Sequence, residues 1–489
     1  MPDFGFVGPS YEAPSIYQDA QECINFYPEI DPLKAPGSRG VVALYPTPGL
    51  TQQLQLNNAP VRGMRALSGG NILIAVVGNT VYSINTSLVS TSVGTLSTST
   101  GVVTITDNIV TTSGLIVYIV DGPNRYTLDV STNTFTTLPN TDGAWQGATV
   151  CDTVDNYIIY NQPNTQNWGA TDLSSALSTN AYFGSKDGSP DNLITLIADH
   201  RQVYLLGEVT TEVWVDVGNT ISGIITFPFQ RIQGTSMQHG CAAPYSVARF
   251  AEQFMFVSKD TRGQVTIGMI QGYQYQRLST HAVEQSLVNQ VVSDAIAYTY
   301  RIEGHEFYVV TFPTADITWV YDLASQMWHK WLSVDTNNVF HRHRSNCYAF
   351  FNGMNLVGDY QNGKIYSLDN NVYTDNGSVI RRVRRAPHLI SDLQRQYFDE
   401  LQIQFQPGVG LSGTQQGTDP QAMLRWSNDG GSTWSNEHWV SIGKIGRYKN
   451  RAIWRRLGWS RDKIFEVVVT DPVKAVIVSA NLKASVGDN

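Results

Sequence analysis

The stretch ILIAVVGNTVYSI, residues 72–84, carries the reading of the whole chain. Two apolar runs are broken by Gly78-Asn79, the residue chemistry that closes a tight hairpin. The same plan recurs in LIVYIVDGPNRYTLDV (115–130), VYLLGEVTTEVWVDV (203–217), EFYVVTFPTADITWVYDL (306–323) and LVGDYQNGKIYSL (356–368). A strand with an aromatic and a short polar step is followed by a turn and another strand. The echo starts at Val81, Arg125, Val320 and Ile365, so its first and last pairs lie 44 and 45 residues apart. A period of roughly 40–50 residues with four short strands per unit is the signature of propeller blades. No blade buries both of its faces alone, whereas a closed ring stacks each sheet on its neighbours. The alternative is a large, irregular β-sandwich.

Composition agrees with an all-β chain. Aromatics make up 11% of the 489 residues and charged residues only 15%, against roughly 25% charged in an average soluble domain. Helices usually carry Glu and Lys on their exposed faces, and helix signals are scarce here. One exception is 281–302, where Val283, Leu287 and Val291 take helical spacing and predict a short helix before a strand pair. No run of 18 apolar residues exists, so no membrane insertion is expected. The first residues lack the basic and apolar regions of a signal peptide. Cys23, Cys151, Cys241 and Cys347 are far apart, which points to free buried thiols made in a reducing cytoplasm.

Charge and turn residues divide the chain. Residues 1–375 hold 17 Lys+Arg against 31 Asp+Glu, a balance of −14, and residues 376–489 hold 16 against 10, a balance of +6. Residues 1–60 are rich in proline and poor in paired strands, which predicts an extended N-terminal arm that wraps another surface. Residues 61–375 are expected to form the β-propeller core. Residues 376–489 are expected to form a C-terminal, β-sandwich-like domain, in which 464–484 reads as two strands joined at Asp471-Pro472.

Four motifs have a structural and a functional reading. Ser427, Asp429, Gly431, Thr433 and Trp434 complete an Asp box, S-x-D-x-G-x-T-W. There the carboxylate accepts turn N–H groups, the glycine supplies an unusual φ and the Trp packs beneath the hairpin. Sialidase propellers carry several such boxes; a single copy points to a hairpin fastener. His341-Arg342-His343-Arg344 places two histidines on one strand face as conceivable metal ligands. With no acidic or cysteine partner nearby in sequence, a solvated or intersubunit basic strand is the preferred reading, and no metal site is expected. Arg381, Arg382, Arg384 and Arg385 form one basic run. Lys444, Arg447, Lys449, Arg451, Arg455, Arg456, Arg461 and Lys463 form another, interleaved with Tyr448, Trp454 and Trp459. Such runs suit nucleic acid or a protein interface, and in a net-acidic chain the interface is preferred. Searches for a nucleophile elbow, P-loop, zincin motif and dinucleotide fingerprint find nothing, so neither catalytic residues nor cofactors are expected.

Several segments in order carry a resemblance: Asn25-Phe26-Tyr27-Pro28-Glu29 with Thr47-Pro48-Gly49-Leu50; Gly207-Glu208 with Thr211-Glu212-Val213-Trp214; Gly304-His305-Glu306-Phe307-Tyr308 with Thr318-Trp319-Val320-Tyr321-Asp322 and Trp328; and Trp454-Arg455-Arg456-Leu457-Gly458. As an ordered set spread over nearly the whole chain, they resemble the tail nozzle (tail hub) proteins of short-tailed bacteriophages, also called packaged-DNA stabilisation proteins. The resemblance implies a structural virion tail component assembled in the host bacterial cytoplasm. It further implies a homohexameric ring with a central channel for double-stranded DNA, which helps retain the genome and conducts it on ejection. A head-to-tail adaptor ring would lie above, tail fibres or spikes outside, and a plug or needle below. Tyr27, Pro28, Glu29, Arg381, Arg382, Arg384, Arg385, Arg455 and Arg456 are the candidate subunit or adaptor contacts. The alternative function is a propeller that binds or cleaves glycans, sialidase-like. That would need three arginines and a Tyr/Glu pair on the central face of the propeller.

Overall fold

The structure, a computed structural model, describes residues 4–34, 40–110, 114–139, 145–178, 183–218, 220–221, 224–225, 227–260, 262–392 and 394–487. Residues 1–3 and 35–39 of the expected arm lie outside the described residues.

Ile72–Val77 and Thr80–Asn85 pair antiparallel across Gly78-Asn79. The first of them is apolar throughout because both of its faces are covered. Ile74 and Val76 pack on Val117 and Ile119 of the next sheet, while Leu73, Ala75 and Val77 pack on Leu356 and Ile365 of the previous one. Among the described residues the same arrangement repeats around a ring of seven blades, each built on four antiparallel strands. Blade 1 comprises Val61–Ala66, Ile72–Val77, Thr80–Asn85 and Ser90–Thr95; blade 2 Thr104–Val110, Gly114–Val120, Arg125–Asp129 and Thr134–Thr137. Blade 3 comprises Cys151–Val154, Tyr157–Asn161, Asn167–Ala170 and Phe183–Ser185; blade 4 Leu193–Asp199, Gln202–Gly207, Thr211–Asp216 and Phe229–Arg231. Blade 5 is Ala248–Phe250, Gln253–Lys259, Val265–Gln271 and Gln274–Arg277, and blade 6 is Ile296–Ile302, His305–Phe312, Ile317–Asp322 and Met327–Lys330. Blade 7 takes Ser345–Phe351, Met354–Asp359 and Lys364–Asp369 from its own region and its outer strand, Gly49–Gln55, from the N-terminal segment. The first strand of blade 7 lies against that of blade 1, which closes the ring. Each of the seven junctions between blades holds its own apolar cluster.

The sandwich has two sheets. One orders Phe26–Ile30, Val42–Pro46, Ile477–Val486, Gln396–Phe405 and Ala452–Arg455; the other orders Arg382–Arg385, Asp462–Val469, Gln421–Ser427 and His438–Ser441. Phe398, Leu401, Phe465 and Val467 meet between them. The strands within 464–484 belong to different sheets, so Asp471-Pro472 lies in a crossing between layers and not in a hairpin.

The N-terminal segment departs from the expected arm. Ala20–Ile24 pairs antiparallel with Arg382–Arg385 on one side and meets Lys330 of blade 6 in parallel on the other. Blade 6 and a sandwich sheet thereby become one eleven-stranded sheet. Prolines suppressed the strand reading, yet Pro28 and Pro46 sit inside ladders, at Pro28↔Leu44 and Phe26↔Pro46. The segment clasps its own chain. The helix is shorter than its spacing predicts: it covers His281–Ser286, capped by Thr280, with Val283 and Leu287 buried and Val291 exposed beyond its end. Among the described residues the cysteines are free, and no helix is long and apolar enough to cross a membrane.

Candidate assembly surfaces

Ser427 to Trp434 close the hairpin between Gln421–Ser427 and His438–Ser441. Asp429 Oδ1 accepts the Thr433 N–H (2.8 Å) and the Ser427 hydroxyl (2.7 Å), and Oδ2 accepts the Thr433 hydroxyl (2.6 Å). Ser427 Oγ accepts the Gly431 N–H at 2.8 Å, with Gly431 at φ 99°, a backbone state that side chains resist. The Thr433 hydroxyl, then its N–H and the Ser427 hydroxyl, hold the Asp429 carboxyl down to about 2. The Trp434 indole is flanked by Arg385 and Arg425, whose guanidinium carbons lie 5.0 and 4.8 Å from its centre.

Those two arginines converge on Glu466, whose side chain is 1% exposed, with Arg385 at 2.8 Å and Arg425 Nε at 2.6 Å. Arg385 also reaches Glu22 (3.1 Å), and Glu22 and Glu12 hold Lys330 at 2.9 and 2.6 Å. The chain of charges runs from blade 6 through the N-terminal strands into the sandwich. Burial alone would raise the Glu22 carboxyl, but Lys330 and Arg385 outweigh it and hold the group low. Burial likewise opposes the charge on Lys330, and Glu22 and Glu12 outweigh it.

Four candidate contact residues prove to be internal. Arg382 and Arg384 are fully buried, and burial pushes both down to about 10, still charged at neutral pH. Carbonyls solvate them: Arg384 donates to Phe6 O, Pro9 O (2.8 Å) and Glu22 O, and to Gln21 Oε1 (2.7 Å). Arg382 donates to Tyr373 O and Asp471 O. Tyr27 and Pro28 are buried as well, with the Tyr27 ring edge-on to Phe307 at 5.4 Å. A residue enclosed by its own chain has no surface to offer a neighbour, so these four are structural fasteners. Arg385 belongs chiefly to the charge network, and Arg381 stacks half-buried on Phe340. Glu29 is 42% exposed and bonds His305 Nε2, while Asp322 faces Nδ1 at 3.0 Å. Burial would lower the His305 pKa; the two carboxylates raise it. Arg455, paired with Glu400 at 2.8 Å, and Arg456 remain at the surface.

The second basic run also divides. Lys463 and Trp454 are buried; Lys463 Nζ bonds Asn428 Oδ1 and Leu457 O within reach of three aromatic rings, and burial lowers it to about 8. Lys444, Arg447, Tyr448, Lys449 and Arg451 stand exposed in the loop 442–451, between two edge strands. His341 and His343 do not converge. His341 meets Asp316 at 2.6 Å near the surface, whereas His343 is buried, stacked on Trp331 at 3.8 Å. Among the described residues no group of His, Cys, Asp and Glu is arranged to hold a metal.

At the mouth of the propeller, blades 4 to 7 line a cavity of ≈ 770 Å³. It holds Arg249, Arg301, Glu252, Glu306, Tyr348 and Phe350. Asp152 neutralises Arg249 (2.9 Å) and Glu306 neutralises Arg301 (3.0 Å). Two arginines gather here where a sialidase centre would gather three. The Tyr348 hydroxyl donates to Asn355 (2.8 Å) and is pushed up to about 12 by burial, which makes it a poor nucleophile.

Sequence reading missed Asn25, Glu22 and Glu466. Asn25, at φ 57°, donates to Leu332 O and Arg381 O and accepts the Leu332 N–H, which joins the propeller to the sandwich. A signal for Glu466 existed in its place within the apolar run IFEVVV.

A closed propeller fastened strand to strand onto a β-sandwich defines a two-body β protein whose described chemistry is contact. Comparison with known families narrows this. Residues 20–373 match the family described as "Bacteriophage P22 Gp10, beta-propeller" and residues 381–485 the one described as "Bacteriophage P22 Gp10, beta-sandwich". The chain belongs to this family of phage tail nozzle proteins and is a structural component of a virion tail. A comparison with curated proteins gives no match. Solved structures similar to the chain include a chain of "Crystal Structure of Mitotic Checkpoint Complex", 14% identical with a TM-score of 0.41, covering 70% of this chain and 97% of that one. A chain of "Crystal Structure of the N-terminal Domain of Nup159" is 11% identical with a TM-score of 0.39, covering 71% and 99%. At such scores neither adds to the fold argument.

Proposed function

We propose that the chain is a non-enzymatic nozzle subunit. Six copies form a ring that continues the DNA channel below the head-to-tail adaptor, helps retain the packaged genome and conducts it on ejection. The observation that carries this reading is the pair of family matches, in order, over both bodies of the chain. The strand splice and buried charge network support it, because a subunit in a DNA conduit benefits from a stiff joint. The acidic balance of −14 over residues 1–375 supports a wall along which duplex DNA slides, since like charge repels phosphates. Adaptor subunits above, fibres or spikes outside and a plug or needle below are the partners this role requires, with assembly in the host cytoplasm. The test is native mass measurement of the purified chain, with electron micrographs. Six-fold rings with an open centre are expected, and a species that stays monomeric at every concentration overturns the ring. Particles assembled without the chain should lose their DNA; full retention would overturn the genome-holding role.

A further inference from the structure

We propose that Tyr448, with Arg447 and Lys449 beside it, seats in the cavity at the propeller mouth of the next copy. This interface rests on the ring reading and names the surfaces that build it. Tyr448 is 72% exposed at the tip of its loop. Arg447 and Lys449 are exposed and make no ion pair among the described residues. An exposed aromatic between two unpaired cations resembles the anchors that dominate protein interfaces.

The proposed receptor is concave and complementary. Its ≈ 770 Å³ cavity falls within the roughly 300–1,000 Å³ typical of binding clefts. Phe350 lines it and is 58% exposed, which leaves an aromatic face uncovered. Glu252 lines it too, exposed and without an ion pair among the described residues, while its arginines are neutralised by Asp152 and Glu306. The turn that presents Glu252 holds Ala251 at φ 52° and Glu252 at φ 60°. Positive φ at both central residues is the usual geometry of a two-residue hairpin, here joining Ala248–Phe250 to Gln253–Lys259.

The charge of the loop constrains how copies can meet. A basic loop cannot face its own copy across a two-fold axis without repulsion. It must meet a different patch on the neighbour, and repeated head to tail such a contact forms a ring where the rotation closes.

The experiment uses the full chain and native mass at about 0.15 M salt. Arg447→Glu/Lys449→Glu and, separately, Tyr448→Ala should each weaken ring formation on the order of tenfold or more, with the melting temperature of the dissociated monomer unchanged. Glu252→Arg should weaken it similarly, and combining Glu252→Arg with the double reversal should restore rings. Wild-type rings that persist in both loop variants would overturn the inference alone; a wild type that never assembles would overturn the ring reading with it. Weakening without rescue would overturn the cavity as receptor. If the loop variants instead lose binding to a duplex DNA probe while rings are unchanged, the loop serves nucleic acid and the inference falls.

Discussion

Single side chains decide how the two bodies hold together. Glu466 is the acceptor for two arginines in a nearly closed space. Glu466→Gln takes the counter-ion from Arg425 and leaves Arg385 with Glu22 and Glu12, and should cost about 3 kcal/mol. Urea unfolding should show a lower midpoint at unchanged slope. The buried histidines set the acid limit. Burial lowers His329 to about 4 and His343 to about 3. Below about 6.5 the unfolded chain binds protons that these rings refuse, so stability falls as pH drops from 6.5 toward those values. His305 works the other way: its raised pKa favours the native state fully below 6.5, and that contribution is lost as pH rises through the folded value. His329 has Tyr27 and Phe307 rings as neighbours and no bond to Nδ1 among the described residues. His329→Phe should therefore recover about 2 kcal/mol of the stability lost between pH 6.5 and 5. An acid limb of unchanged steepness in urea titrations at the two pH values would count against this.

At the scale of elements, the closing strand Gly49–Gln55 is the vulnerable piece. A Cβ on Gly49 would stand 2.4 Å from Val372 O and 2.6 Å from Thr374 O, both backbone. Gly49→Ala should cost about 1–3 kcal/mol through overpacking and speed amide exchange in blades 7 and 1; equal exchange would argue against it. The second strands of the blades were legible in sequence, since strands covered on both faces read as apolar runs. The closing strand was not. Its sequence, GLTQQLQ, is polar, and its partner lies some 300 residues away in the chain. Arg382 and Arg384 misled for the opposite reason: a run of like charges normally marks a surface, and only the fold reveals carbonyls gathered around them. The Asp box was legible in full because its bonds lie within seven residues. The Lys330–Glu22–Arg385–Glu466 network was not, because its members come from four separate strands.

At the scale of the whole molecule, Ala20–Ile24 lies between the propeller and the sandwich and pairs with both. Full-length chain should unfold in a single calorimetric transition, whereas removal of residues 1–24 should split it into a propeller and a sandwich transition. One transition in the truncated chain would show that the bodies are coupled elsewhere. The splice is also unequal. On the sandwich side three residue pairs hold the strand, Glu22↔Arg385, Cys23↔Arg384 and Ile24↔Val383; on the propeller side there is one, Ile24↔Lys330. A pull that draws the sandwich away from the propeller loads these two seams in series, and the weaker gives first. Under mechanical tension the rupture point is then the seam at Lys330, with the N-terminal strand leaving alongside the sandwich. The ammonium–carboxylate contacts of Lys330 lie buried in that seam, so added salt screens them little and its breaking force should hold as salt rises.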